Sequence, residues 1–191
     1  MHKDNIIKIF KNTGALLDGH FILTSGLHSP SYFQCAKVLQ YPKYLTELSK
    51  IISEKFNHET IDVVISPAVG GIVFGTEIGR LLNARTIFAE RKNGEMTIRR
   101  GFHIKPNENV LVVEDVITTG GSVKEVMDLV ENNKGNIIGL GILVDRSNGE
   151  IELHDNQFSI IALKVESYDE KYLPKSLSLL PVQKPGSRHT I

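Results

Sequence analysis

Cysteine occurs once, at Cys35, which excludes an internal disulfide and a cysteine-built metal site. It lies between Gln34 and Ala36 with no sign of a helix N-terminus, so it reads as inert packing rather than a nucleophile. Neither sign of charge is in excess: 22 basic and 22 acidic residues cancel, and nothing in the net charge calls for nucleic acid or a membrane surface. Any basic site must therefore be local. Long apolar runs are also missing, because the stretch Val63–Thr76 is broken by Pro67, Gly70, Gly71 and Gly75 and is too short to span a bilayer. Met1 to Lys11 alternates charged with apolar residues at helical spacing, which is not a secretory signal, and the expected compartment is the cytoplasm. There is no internal repeat, no low-complexity linker and no helix-turn-helix extension. His20, His28 and His103 show no metal-ligand spacing and read as structural.

What is present suits one domain with a real core, or one domain with a small appendage, since the chain has 191 residues of which 41% are hydrophobic. Its most informative segment is NVLVVEDVITTGGS, Asn109 to Ser122. Val110–Val113 reads as a buried parallel strand, and Ser122–Val130 has the apolar spacing of a helix. Glu114 and Asp115 thus stand at a strand's carboxyl end, the edge outside which open α/β sheets bind ligands. The turn Thr118-Thr119-Gly120-Gly121-Ser122 adds backbone N–H groups, three hydroxyls and a helix N-terminus, all suited to phosphate. No lysine follows Gly120-Gly121 as a P-loop requires, and G-x-G-x-x-G is absent. Two carboxylates ahead of a phosphate cradle suit a sugar phosphate, whose vicinal hydroxyls can donate to them. Capping alone needs one such residue, whereas six of the nine positions from Glu114 to Ser122 are Asp, Thr, Gly or Ser.

Other segments point to the same edge. Ile6, Ile7, Phe10, Leu16 and Leu17 mark an N-terminal amphipathic helix, and Tyr44, Leu48, Ile51, Ile52 and Phe56 a second after Pro42. FILTSGLHSPSYF between them reads as mostly irregular or short strand. Strands over 62–66, 86–91, 136–144 and 158–165, with a helix over 71–82, complete an alternation that implies a parallel sheet with right-handed crossovers. Ser66-Pro67-Ala68-Val69-Gly70-Gly71 is a second anion-accepting turn between strand and helix. Asn93-Gly94 inside Glu90–Gly101 signals a hairpin carrying Arg91, Lys92, Arg99 and Arg100, a basic flap able to close over an anion. Asp145-Arg146 ends a strand, and an arginine there offers a bidentate partner for a carboxylate. Tyr32 and Phe33 offer an aromatic platform. From Ser167 onward no steady period is visible, and the tail is expected to pack with the N-terminal segment as a cap over the sheet's carboxyl edge.

VLVVEDVITTGGS resembles the 5-phosphoribosyl 1-diphosphate (PRPP) binding motif of type I phosphoribosyltransferases. FILTSGLHSPSYFQC and PVQKPGSR resemble the base-side segment and closing tail of the orotate phosphoribosyltransferases within that superfamily, and the likeness spans nearly the whole chain. It implies an open, mainly parallel twisted sheet flanked by helices, in a single domain 1–191. A hood would come from about 1–40 and 167–191, a core from about 41–166, and a flexible hairpin flap would project from it.

The resemblance implies transfer of a 5-phosphoribosyl group from PRPP to N1 of orotate, giving orotidine 5′-phosphate and diphosphate in de novo pyrimidine (UMP) biosynthesis. It implies Mg2+, held mainly through the diphosphate with no protein ligand assigned, and a homodimer. Glu114, Asp115, Val116, Ile117, Thr118, Thr119, Gly120, Gly121 and Ser122 would bind PRPP together with Arg91 and Lys92, with Glu114, Asp115, Arg91 and Lys92 taking part in catalysis. Ala68, Val69, Gly70 and Gly71 would form the diphosphate loop, and Thr118, Arg146, Tyr32 and Phe33 would meet orotate. The chain departs from the family pattern at three places. Val69-Gly70 replaces an aromatic–lysine pair, Thr24 replaces a lysine, and the flap's later lysine and histidine have no match, so Arg99 and Arg100 are read in their place. Two alternatives remain: a purine or other base phosphoribosyltransferase, and a non-catalytic PRPP-sensing regulator.

Overall fold

The computed structural model describes residues 2–23, 26–163 and 165–184. Thr24, Ser25 and the end of PVQKPGSR from Pro185 lie outside the described residues. In chain order the elements are α1 (Lys3–Asn12), β1 (Leu16–Ile22), β2 (His28–Phe33), α2 (Ala36–Leu39), α3 (Pro42–Phe56), β3 (Val63–Pro67), α4 (Gly70–Leu82) and β4 (Arg85–Lys92). After these come β5 (Glu95–Ile98), β6 (Asn109–Ile117), α5 (Gly121–Asn132), β7 (Asn136–Asp145), β8 (Gln157–Ala162), a 3-10 turn (Glu170–Tyr172), α6 (Lys175–Ser178) and β9 (Val182–Gln183). Two compact units result, Met1–Val38 with Lys164–Ile191, and Leu39–Leu163. Among the described residues no helix is long and apolar enough to cross a membrane.

In the first unit, β1 pairs antiparallel with β2 and parallel with β9. Leu16 and Leu17, expected in the N-terminal helix, stand instead in β1. The helix stops because Gly14 adopts φ 68°, which lets its N–H reach Lys11 O at 3.0 Å and Ala15 N–H reach Phe10 O at 2.8 Å, the paired bonds of a Schellman cap. FILTSGLHSPSYF, expected to be mostly irregular, supplies the end of β1 and all of β2. The aperiodic tail is tied down by backbone bonds of 2.8 Å in both directions between His28 and Tyr168, and by β9.

The second unit holds a six-stranded sheet in the order β5-β4-β3-β6-β7-β8, parallel except for β5 against β4. The apolar run of β6 is buried on both faces, as a central parallel strand requires. Val110 and Val112 join a cluster with Val123, Val126 and Val130 of α5. On β7, Gly139 and Gly141 leave room for Phe56 and Ile52 of α3, and a Cβ on Gly141 would lie 2.8 Å from Ile52 Cγ2. The chain runs from β3 through α4 outward to β4, but from β6 through α5 the opposite way to β7. Connections therefore diverge between β3 and β6, where a crevice opens beyond the strands' carboxyl ends.

Because Ile52 is fully buried, Gly141→Ala is expected to destabilise the fold by about 1–3 kcal/mol through overpacking, read as a lower denaturation midpoint in urea. An unchanged midpoint would show that α3 does not seat on this strand.

Candidate active site

Two turns flank the crevice, one after β3 and one after β6. Glu114 and Asp115 stand near the end of β6, and the turn beyond them lines an open cleft of about 80 Å³ with Glu114, Val116–Ser122 and Val123. Gly120 takes φ 77° at the N-cap of α5, where no side chain caps the helix. A Cβ there would meet Leu153 Cδ1 at 2.8 Å, so the position demands glycine both for its backbone and for space. Thr118 and Thr119 are exposed, placing hydroxyls and N–H groups at a helix N-terminus open to an anion.

The Ser66–Gly71 turn lies directly against the acidic pair. A Cβ on Gly70 would stand 2.5 Å from Asp115 Oδ2 and 2.6 Å from Oδ1. One on Gly71 would stand 2.9 Å from Ser66 Cβ and 3.4 Å from Glu114 Oε1. Ala68 N–H donates to Ala89 O at 2.7 Å, the Ala68–Val69 peptide is cis, and Val69 is exposed. Where the family pattern has an aromatic–lysine pair, this chain thus brings bare backbone up to the carboxyls.

Glu114 is 7% exposed, and its Oε1 accepts from Asp115 N–H at 3.0 Å. Burial first, and the neighbouring Asp115 second, push its carboxyl well above the usual range. Asp115 is half-buried, so the two adjacent carboxyls have different surroundings.

The flap is the β4–β5 hairpin, closed by a two-residue turn with Asn93 at φ 53° and Gly94 at φ 91°, the type I′ geometry. Its three arginines are partnered. Arg91 forms an ion pair with Glu125 Oε2 on α5 at 2.7 Å and donates to Gly94 O at 2.7 Å. Arg100 bonds both oxygens of Glu90 at 3.0 Å and lies 5.6 Å over the Phe88 ring. Arg99 shares Glu90 at 3.4 Å. The hydrogen bonds from Arg100 hold the Glu90 carboxyl below its ordinary range. Lys92 is exposed at the end of β4. The hairpin's cations are plain in the sequence, but the pairing of its arginines with Glu90 and Glu125 emerges only in the fold, although Glu90 stands next to Arg91.

Arg146 follows β7, its N–H donating to Ile117 O at 3.0 Å, so it stands beside the start of the phosphate turn. Tyr32 and Phe33 belong to the first unit. Phe33 is 6% exposed and packs edge-on against Phe10 at 6.2 Å, which commits it to that unit's core. Tyr32 is half-buried, 5.7 Å from the Phe21 ring, and donates its hydroxyl to Gln34 Oε1 at 3.3 Å. Within the second unit, the acidic pair, both turns and Arg146 come together. Among the described residues no group of three or more His, Cys, Asp or Glu is placed to hold a metal ion.

Comparison with known proteins agrees with this geometry. The phosphoribosyl transferase domain family matches residues 35–172. An orotate phosphoribosyltransferase of Chlorobium phaeobacteroides is 60% identical over 96% of this chain and 95% of its own length. One from a Thermoanaerobacter species is 51% identical over 98% of this chain and 99% of its own length. Among solved structures, an orotate phosphoribosyltransferase from Aeropyrum pernix superposes with TM-score 0.71 at 24% identity, over 83% of this chain and 94% of that one. An adenine phosphoribosyltransferase from Rhodothermus marinus gives 0.66 at 19%, over 83% and 100%. At such identities the superpositions show the shared fold alone.

The burial of Glu114 has a pH signature. A raised carboxyl pKa means the folded state favours the neutral acid. The stability this group contributes is full below its unfolded pKa and lost as pH rises through the folded one. Glu114→Gln is therefore expected to melt close to wild type at about pH 5 and above it at about pH 8, by roughly 2–4 °C for each kcal/mol relieved. A variant melting no higher at the alkaline pH would remove the burial penalty.

Proposed function

The chain belongs to the orotate phosphoribosyltransferase family, and from that premise we propose that it transfers the 5-phosphoribosyl group of PRPP to N1 of orotate, releasing diphosphate, in pyrimidine biosynthesis. The observation that carries this reading is the close approach of Gly70 to the Asp115 carboxyl. It brings a diphosphate-accepting turn and a phosphate-accepting turn to the two sides of one acidic pair. A molecule bearing phosphate, diol and diphosphate in that order matches the spacing.

In this assignment the amides and hydroxyls of Thr118–Ser122 anchor the 5′-phosphate, with Val116 and Ile117 contributing backbone. Asp115 and Glu114 accept from the ribose hydroxyls. Cleavage at the anomeric carbon runs ahead of bond formation, so positive charge builds on the ring and negative charge on the leaving diphosphate. The Asp115 carboxylate beside the ring favours the first, with Glu114 beside it as a hydrogen-bond acceptor, and Ala68–Gly71 with the flap's Arg91, Lys92, Arg99 and Arg100 favour the second. Exposed ion pairs are worth little, so exchanging Glu90 and Glu125 for a diphosphate costs those arginines little. Orotate is already an anionic nucleophile and needs no dedicated general base. Arg146 pairs with its carboxylate while Thr118 meets the base. Tyr32 and Phe33 are assigned to the base by likeness; of the two, Tyr32 is the partly exposed one.

A divalent ion suits this donor set, since Mg2+ binds readily through substrate phosphates and water with few protein ligands. It would enter on the diphosphate held by Ala68–Gly71 and supply charge neutralisation on the leaving group. A single functional domain, with residues of about 1–40 and 167–191 as a hood to the core, a homodimer and a cytoplasmic location complete the proposal.

Mixed with orotate, PRPP and Mg2+, the protein should deplete orotate's ultraviolet absorbance, with uracil and hypoxanthine unchanged and chelator stopping the reaction. Folded protein that leaves orotate intact would sink the reading. Asp115→Asn should lower kcat/KM by roughly tenfold or more, the size of one charge-assisted hydrogen bond. Arg146→Ala should raise the KM for orotate by about ten- to a hundredfold. A rise confined to the KM for PRPP would show that Arg146 was misassigned.

A further inference from the structure

Asp145, the last residue of β7, is 1% exposed, yet among the described residues its carboxyl serves no ion pair. Its Oδ1 accepts from both the N–H and the hydroxyl of Ser147 at 2.7 Å, and its Oδ2 accepts from Gly149 N–H at 2.8 Å. Ser147 Oγ in turn accepts from Ile151 N–H at 3.0 Å. One buried carboxyl and one hydroxyl thus take four donors from the segment that follows the strand. Asn148 and Gly149 reverse the chain there with φ of 58° and 85°. Arg146 is the residue enclosed at the base of this loop, tied on its other side to Ile117 O. Further on, Ile151 and Leu153 press on Gly120: a Cβ there would lie 3.1 Å from Ile151 Cγ2 and 2.8 Å from Leu153 Cδ1. The loop that carries the arginine is therefore seated on the phosphate turn.

We propose that Asp145 and Ser147 are positioning residues that fix the backbone from which Arg146 reaches the carboxylate of the base, and so set the affinity for orotate without touching it. The proposal rests on the reading of Arg146 as orotate's partner. Arg146 is partly buried where the chain leaves β7, and a bidentate pair tolerates little angular error. A buried carboxyl that accepts the N–H groups of Ser147 and Gly149 fixes the backbone beside Arg146 before the base arrives. It also explains why the acid is buried at the mouth of a site, where loop closure alone would be served by a solvent-facing Asp or Asn.

The test compares Ser147→Ala, Ser147→Thr, Asp145→Asn and Arg146→Ala in steady-state assays, with thermal melts as a check on folding. Ser147→Ala should raise the KM for orotate about three- to tenfold, as one or two lost hydrogen bonds imply. The KM for PRPP should stay within about twofold. Ser147→Thr should restore the wild-type value. Asp145→Asn, whose amide sets a donor against Ser147 or Gly149 N–H, should show the same orotate-selective loss. In the Arg146→Ala background, Ser147→Ala should add nothing, because its effect passes through the missing side chain. If Arg146→Ala weakens orotate but the Ser147 and Asp145 variants do not, the positioning role is overturned and the functional reading stands. Full additivity of Ser147→Ala with Arg146→Ala would equally overturn it. If Arg146→Ala leaves orotate affinity unchanged, the reading beneath the proposal fails.

Discussion

The site depends on how closely two turns can approach each other outside the boundary between β3 and β6. Parallel strands lie about 4.8 Å apart, so whatever follows them begins almost in contact. The helices then diverge, and the crevice exists only because they do. At Gly70 the approach is so tight that even a methyl group would displace the Asp115 carboxyl. Glycine at 70 and 71 is thus the condition for an acidic pair and an anion-accepting turn to share one pocket.

From this constraint the charge pattern follows. The chain is neutral overall, but its site places two carboxyls beside turns suited to phosphate, and the same unit carries a hairpin of arginines. The two acids differ in kind: Glu114 is buried and held toward its neutral form, while Asp115 is partly open beside the other turn. The arginines are paired with Glu90 and Glu125 rather than left loose. In the loop after β7 an internal carboxyl, that of Asp145, likewise holds the residues that follow Arg146.

Much of this was legible from the chain. The apolar run Val110–Val113, ending in Glu114-Asp115 and a Thr/Gly/Ser turn, has one ready physical reading, and Asn93-Gly94 announces its hairpin turn as plainly. What was missed required partners distant in sequence or a cap read too lightly. Leu16 and Leu17 continued the helical spacing of Ile6 and Phe10, but Gly14 outweighed that periodicity by closing the helix at Asn12. Val182 and Gln183 carry no strand pattern of their own, and their edge is set by His20 and Phe21. The contact of Phe33 with Phe10 could not be foreseen, because the alternation along β2 that turns it there is visible only once the strand is recognised. The carboxyl of Asp145 passed unnoticed beside Arg146, since its three acceptor bonds are made only once the loop has folded back.

The central claim is that PRPP sits across the two turns at the β3–β6 boundary. Backbone hydrogen exchange, measured with and without saturating PRPP and Mg2+, tests it most directly, because both turns are proposed to bind through N–H groups. Slowed exchange in Ala68–Gly71 and in Thr118–Ser122 together is the expected result. Exchange unchanged in both turns under saturating ligand, with protection elsewhere, would contradict it.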